Sequence, residues 1–262
     1  MKGIGRSFLV AFSRYSISPK TKLARNRENC SSILMFVPLV GAIITVIINR
    51  WAVLYPYMCE HPVLPAVVGA VIPTILSAGS HLDGFFKTVD ALSSHKPREE
   101  ALAILKEDAH GGYSAIIVSV CYYMVGVGIW SEMPIDGIFV IAFSYIISRA
   151  LFSISLLTVK HVPDDKSLCY VTDNQTFKWL QVLVNVAYIG ISAFLMIEIA
   201  ASFEGVRVAV ASLLGAAISY VYYLVMAKRR FGGVSEEIAG YFVMICEVVI
   251  PIAALCAFKS PI

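Results

Sequence analysis

The sequence predicts an all-α, polytopic integral membrane helix bundle of about seven spans, and three observations carry the prediction. Hydrophobic residues make up 58% of the 262 residues and charged residues 15%, with a mean hydropathy of +0.76. That balance is too apolar for an ordinary soluble domain. The apolar residues also fall in blocks approaching the roughly 20 residues that a helix needs to cross a bilayer. None of these blocks alternates apolar and polar positions as a barrel strand does.

The elements follow in order. Residues 1–32 form a basic segment, within which 5–19 reads as an interfacial helix turning Arg6 and Arg14 toward phosphate groups. Spans are expected near 33–49, 62–80, 114–131, 135–158, 179–201, 206–227 and 239–258. Pro62, Pro65 and Pro73 kink or shorten the second. A charged loop over 81–113 and a Gly-rich loop over 228–238 connect the spans, and the whole of 1–262 reads as a single membrane domain. No internal repeat is visible, and no signal-peptide cleavage pattern precedes the first long apolar run, so the chain is expected to be retained whole. The cysteines (Cys30, Cys59, Cys121, Cys169, Cys246 and Cys256) show neither metal spacing nor a disulfide framework.

Orientation follows from the distribution of positive charge. Lys2, Arg6, Arg14, Lys20, Lys22, Arg25 and Arg27 precede the first span. Lys87, Lys96, Arg98 and Lys106 follow the second; Lys160, Lys166 and Lys178 follow the fourth; Lys228, Arg229 and Arg230 follow the sixth. Only Arg50, Arg207 and Lys259 lie opposite. The N-terminus is therefore expected in the cytoplasm, and every charged cluster, the active site included, on the cytoplasmic face of the cell membrane.

The stretch His81-Leu82-Asp83-Gly84-Phe85-Phe86-Lys87-Thr88-Val89-Asp90 is the most informative of these clusters. Ionisable groups beside an apolar run are costly and usually mark a site. If 83–90 is helical, Asp83, Lys87 and Asp90 share one face. The two carboxylates then offer oxygens to a hard cation, Lys87 pairs with them or meets a phosphate, and Gly84 lets backbone approach a ligand. The plainer alternative is a polar helix start capped by Asp83, with Lys87 its i+4 partner. Downstream, Lys106-Glu107-Asp108-Ala109-His110-Gly111-Gly112 suits a phosphate contact or a second metal ligand, or simply the end of a loop helix. His95 and His110 read as solvated loop histidines. Arg149, inside the fourth span, needs either an anion or a buried partner such as Glu198 or Glu247.

Taken together, several motifs resemble the cobalamin-5′-phosphate synthase (adenosylcobinamide-GDP ribazoletransferase) family. They are Pro38-Leu39-Val40-Gly41, H-L-D-G-F at 81–85, D-A-L-S-S at 90–94 and I-L-K-E at 104–107. Ala11-Phe12-Ser13-Arg14-Tyr15 with Pro19, Ser148-Arg149 and Gly232-Gly233-Val234-Ser235 add to the likeness, in the right order over most of the chain. The resemblance implies a magnesium-dependent transferase that joins adenosylcobinamide-GDP to α-ribazole or its 5′-phosphate and releases GMP. It implies Asp83, Asp90 and Lys106 as catalytic residues, with Asp83, Asp90, Glu107, Asp108 and Glu237 as candidate metal ligands. Arg14, Lys87, Gly111, Gly112, Arg149, Gly232 and Gly233 become candidate substrate or cofactor contacts. The implied partners are the two substrates and the lipid bilayer; nucleic acid is not expected, and a homo-oligomer is left open.

The chain departs from the family pattern at five positions. Lys87 and Glu107 stand where aspartate is usual, Ala103 where glutamate is, Ala109 where a basic residue or histidine is, and Glu237 where aspartate is. Lys87 reverses a charge, which should weaken a multi-metal site. Two other readings compete. One is a CDP-alcohol phosphotransferase, whose D-G-x-x-A-R pattern Asp83-Gly84 does not complete. The other is a small transporter with a pathway of Arg149, Glu198 and Glu247, although repeated halves are not seen.

Overall fold

The computed structural model describes residues 2–25, 31–58, 60–107, 112–163, 165, 175–202 and 205–260. Among these the chain is helical, without strands; a lone bridge pairs His161 with Val234. The principal helices are α1 (Lys2–Tyr15), α2 (Val37–Leu54), α3 (Val63–Leu76), α4 (Ser80–Ser93), α5 (Arg98–Lys106), α6 (Tyr113–Glu132), α7 (Ile135–Ile141), α8 (Ser144–Thr158), α9 (Gln175–Ala201), α10 (Val206–Met226) and α11 (Glu236–Lys259). Among the described residues, six segments are long and apolar enough to cross a membrane: Ile33–Tyr57, Tyr113–Glu132, Ile135–Thr158, Phe177–Ala201, Val206–Phe231 and Glu236–Lys259. The α3–α4 pair qualifies as a seventh only when both halves are taken together.

The second span is shortened, as its prolines lead one to expect, but the break lies beyond them. Rather than one helix over 62–80, the chain runs through α3, breaks, and leaves along α4 at 93°. Fourteen residues of α3 rise only about 21 Å, short of the hydrocarbon thickness. The turn is made by Ala78 and Gly79, at φ of 50° and 68°. Glycine adopts that left-handed region freely, whereas alanine pays for its Cβ. Contacts with α6 show how the break divides the crossing. Gly69 lies against Trp130, Ala70 against Gly126, and Tyr123 Oη donates to Thr74 Oγ1 at 2.9 Å. The two helices are antiparallel, and α3 stops before the start of α6; Asp90, near the end of α4, lies beside Gly112 at that start. Most of the expected 81–113 loop is therefore helix, as α4 and α5.

Small residues set the close crossings, as they do where lipid gives helices no hydrophobic reason to associate. Gly41 of α2 lies against the Tyr145 carbonyl, and Thr45 Oγ1 donates to the Ala142 carbonyl at 2.7 Å. Gly84 of α4 meets the backbone of Glu237, and Gly240 of α11 meets that of His81. Helix α1 buries Ser7, Val10, Ala11 and Tyr15 while Ile4, Phe8 and Leu9 stay exposed, the two-sided character expected of an interfacial helix.

Candidate functional site

A cleft of about 420 Å³ opens where α1, α4 and α11 meet at one end of the bundle. Its size lies within the roughly 300–1,000 Å³ of small-molecule sites. Helix α4 supplies Asp83 and Lys87, one turn apart, with Ser80 and Gly84 below them. Helix α11 supplies Glu236 and Glu237 from its first turn, where the helix dipole favours negative charge. Helix α1 and the chain after it supply Ser13, Arg14, Lys20 and Thr21.

Charges of both signs alternate around this opening. The Arg14 fork donates to both carboxylate oxygens of Glu236, at 2.9 and 2.6 Å, the bidentate geometry that strengthens such pairs. Tyr15 Oη donates to the same carboxylate at 2.8 Å. Lys87 Nζ lies 3.1 Å from Asp83 Oδ2. Lys20 is exposed at the rim. Cations in these positions can meet an anionic ligand, and the carboxylates can meet a metal.

The turn leading into α11 is braced from behind. Val162 N donates to the Val234 carbonyl at 3.0 Å and Val234 N to the Lys160 carbonyl at 2.9 Å. Gly233 packs directly on Lys160 and His161, with no room for a side chain, and Ser235 caps α11 by accepting from Ile238 N. His161 holds the Asp165 carboxylate at Nδ1 and the Leu156 carbonyl at Nε2. Burial pulls its pKa down, but the bonds to Asp165 and Leu156 outweigh burial and leave it above the ordinary histidine value.

The structure distributes the sequence-predicted residues unevenly. It brings Asp83, Lys87, Arg14 and Glu237 to one cleft. Asp90 shares Asp83's helix face but stands about 10.5 Å further along the axis. Its carboxylate instead accepts from Gly112 N at 3.2 Å and Ser114 Oγ at 2.7 Å, closing the start of α6. A Cβ at Gly112 would stand 2.3 Å from Asp90 Oδ1, so the carboxylate would have to shift to admit one. Lys106 and Glu107 are exposed at the end of α5, away from the cleft lining. Asp108 and Gly111, like His110, lie outside the described residues.

Gly84 lines the cleft and also serves helix packing, since a Cβ there would stand 2.5 Å from the Glu237 carbonyl oxygen. Gly232, at φ 81°, turns the chain beside Arg98, and Gly233 serves the bridge to 160–161; neither lines the cleft. Arg149 has the buried partner that was the alternative to an anion: it is 1% exposed and pairs with Glu247 at 2.9 Å. Glu198 is exposed on α9, so Arg149, Glu198 and Glu247 do not form a transport pathway. The sequence reading overlooked Glu236, Lys20, Ser13 and Ser80. The Glu236-Glu237 pair after a Ser cap was the available signal for the first.

Among the described residues no three His, Cys, Asp or Glu side chains gather as a metal cluster. Asp83 and Glu237 do line the same cleft. One or two carboxylates completed by substrate phosphates are the donor set magnesium ordinarily uses, so the cleft fits a cation that arrives with a phosphate ligand.

Comparison with known proteins places these observations in a family. A profile of cobalamin-5-phosphate synthase matches residues 7–255. A protein of Lachnoclostridium phytofermentans named adenosylcobinamide-GDP ribazoletransferase is 29% identical over 96% of this chain and 94% of its own length. Proteins of the same name from Clostridium botulinum (strain Alaska E43) and Clostridium perfringens (strain 13) are each 24% identical, covering 95% and 94% of this chain and 96% of their own lengths. No solved structure matches the chain at a significant level.

Proposed function

The chain belongs to the cobalamin-5-phosphate synthase family, and from that premise we propose that it joins adenosylcobinamide-GDP to α-ribazole or α-ribazole 5′-phosphate and releases GMP. A ribose hydroxyl of the ribazole attacks the phosphorus attached to cobinamide. The new P–O bond forms as the bond to GMP breaks, and the hydroxyl proton leaves to a carboxylate or to water. The observation that supports this reading is the gathering of Asp83, Glu237, Lys87, Arg14 and Lys20 around one cleft at the helix-α4 motif.

Phosphoryl transfer depends mostly on positioning and on neutralising charge on the transferring oxygens. In this reading Asp83 and Glu237 hold magnesium, which supplies charge neutralisation to the diphosphate when bound. Lys87 and Lys20 meet the remaining phosphate oxygens, and Asp83 is placed to accept the hydroxyl proton. Arg14 either leaves Glu236 for the phosphate or keeps Glu236 from competing for the cation. A corrin ring is too large for the cleft and rests outside it. Asp90 acts at one remove, by holding the start of α6 against α4. Lysine at 87 follows as a built-in counter-charge to Asp83, consistent with a site that uses fewer cations than an all-aspartate motif. In this reading the cleft faces the cytoplasm, where water-soluble nucleotides are available, and the one-sided distribution of basic residues supports that orientation.

The test is GMP release by the lipid-reconstituted protein supplied with adenosylcobinamide-GDP, α-ribazole and magnesium, with Asp83→Asn as the control. The reading expects a corrinoid product from the natural protein and none from the variant.

A further inference from the structure

At the level of Glu247, 11 residues beyond Glu236 on α11, Arg149 of α8 sits at the α3–α4 break, and the cleft does not include it. It is 1% exposed, its Nη1 pairs with Glu247 of α11 at 2.9 Å, and the same nitrogen donates to the Tyr145 carbonyl at 3.2 Å. Tyr122 Oη of α6 donates to the other Glu247 oxygen at 3.2 Å. The remaining terminal nitrogen, Nη2, donates at 3.0 Å to Ser77 Oγ, the last residue before the left-handed Ala78-Gly79 turn. Ser77 Oγ in turn donates to the Pro73 carbonyl at 2.7 Å, in the helix that ends there. One guanidinium thus ties α8, α11 and, through Glu247, α6 to the point where the second span breaks.

The break sets the direction of α4, and α4 carries Ser80, Asp83 and Lys87 into the cleft. Ala78 is held in a backbone region disfavoured for residues with a Cβ, so the bend needs an external tie. Ser77 is 3% exposed and supplies that tie. A charged pair in a membrane interior is costly and persists where it has a task.

We propose that Arg149 is a positioning residue: through Ser77 it locks the Ala78-Gly79 break and so aims α4, with Asp83 and Lys87, at the cleft. The tie does not touch the ligand, and its effect on turnover rests on the function proposed above, whereas its effect on the bend does not.

Amide hydrogen exchange on the full-length protein in lipid nanodiscs tests the bend without reference to any reaction. Ser77→Ala removes the tie and leaves the Arg149–Glu247 pair in place. Exchange over 77–84 should quicken about tenfold or more, the fold-change that a hydrogen bond to a charged group carries, while 144–158 and 238–250 keep their protection. Adding Ala78→Gly, which relieves the left-handed strain, should return part of the protection. Unchanged exchange over 77–84, uniform loosening of all helices, or no recovery with Ala78→Gly would each overturn the proposal. With GMP release as a second readout, Ser77→Ala should lower kcat with KM for the corrinoid nucleotide within about twofold. A raised KM at unchanged kcat would mean that the tie serves ligand binding rather than the aim of α4, and would overturn the proposal. Should no GMP be released even by the natural protein, the exchange measurement still decides the tie, and only the proposed function fails.

Discussion

Gly84→Ala perturbs the site where α4 and α11 touch, without altering a charge. The added Cβ would stand 2.5 Å from the Glu237 carbonyl oxygen and 3.0 Å from its Cα, both backbone atoms that no rotamer change can move. Ordinary contact begins near 3.4 Å, so the helices have to separate by about 0.9 Å at this point. Asp83 and Glu237 flank it on opposite helices, so the separation is transmitted directly to the two carboxylates of the cleft. Overpacking of this kind costs about 1–3 kcal/mol of stability, and a misplacement of about 1 Å in a catalytic constellation costs on the order of 10²-fold in rate. GMP release and thermal unfolding in detergent read the two effects. The control is Gly190→Ala in α9, where a Cβ meets nothing within 4 Å and alanine is the better helix former. Full activity in Gly84→Ala, or an equal loss in Gly190→Ala, would refute the reasoning.

Three further outcomes follow. Glu247→Gln leaves Arg149 charged and unpaired in the interior, so it should lower stability by about 3–5 kcal/mol, seen as a large drop in thermal midpoint; a near-neutral result would mean that the pair is not formed in the bilayer. Asp90→Ala loses the bonds that close the start of α6, so it should destabilise by about 1–2 kcal/mol and lower activity less than Asp83→Asn does; an equal loss of activity at normal stability would make Asp90 a direct ligand. His161 has a folded pKa above its unfolded value, so its contribution is fully present below the unfolded pKa of about 6.5 and is lost as pH rises through the folded pKa. Thermal midpoints of the natural protein and His161→Gln should therefore converge as pH is raised through the folded pKa; a gap that widens with pH would contradict the pairing with Asp165.

The spans were legible because apolar length is a one-dimensional property, and six of them lie close to where the runs of 33–49, 114–131, 135–158, 179–201, 206–227 and 239–258 place them. The shortening of the second was legible in its prolines, but the place of its break was not, because that depends on the conformation of Ala78 and on an arginine 72 residues away reaching Ser77, neither of which leaves a periodic trace. At the site, Asp83 and Lys87 were readable from i, i+4 spacing. Pairing Asp90 with Asp83 followed the helix face correctly but ignored the rise along the axis, which carries Asp90 to α6. Glycines carry two readings. Gly84 and Gly233 looked like openings for a ligand, and both are places where another stretch of backbone sits, Gly84 while also lining the cleft. Distinguishing the two needs the partner helix, which sequence alone does not supply.

The most direct test of the account is a magnesium titration of GMP release from adenosylcobinamide-GDP and α-ribazole, comparing the natural protein with Asp83→Asn and Glu237→Gln in liposomes. The account predicts saturable, magnesium-dependent release coupled to a corrinoid product, abolished in Asp83→Asn and shifted to higher magnesium in Glu237→Gln. Release that ignores magnesium, or that survives intact in both variants, would contradict it.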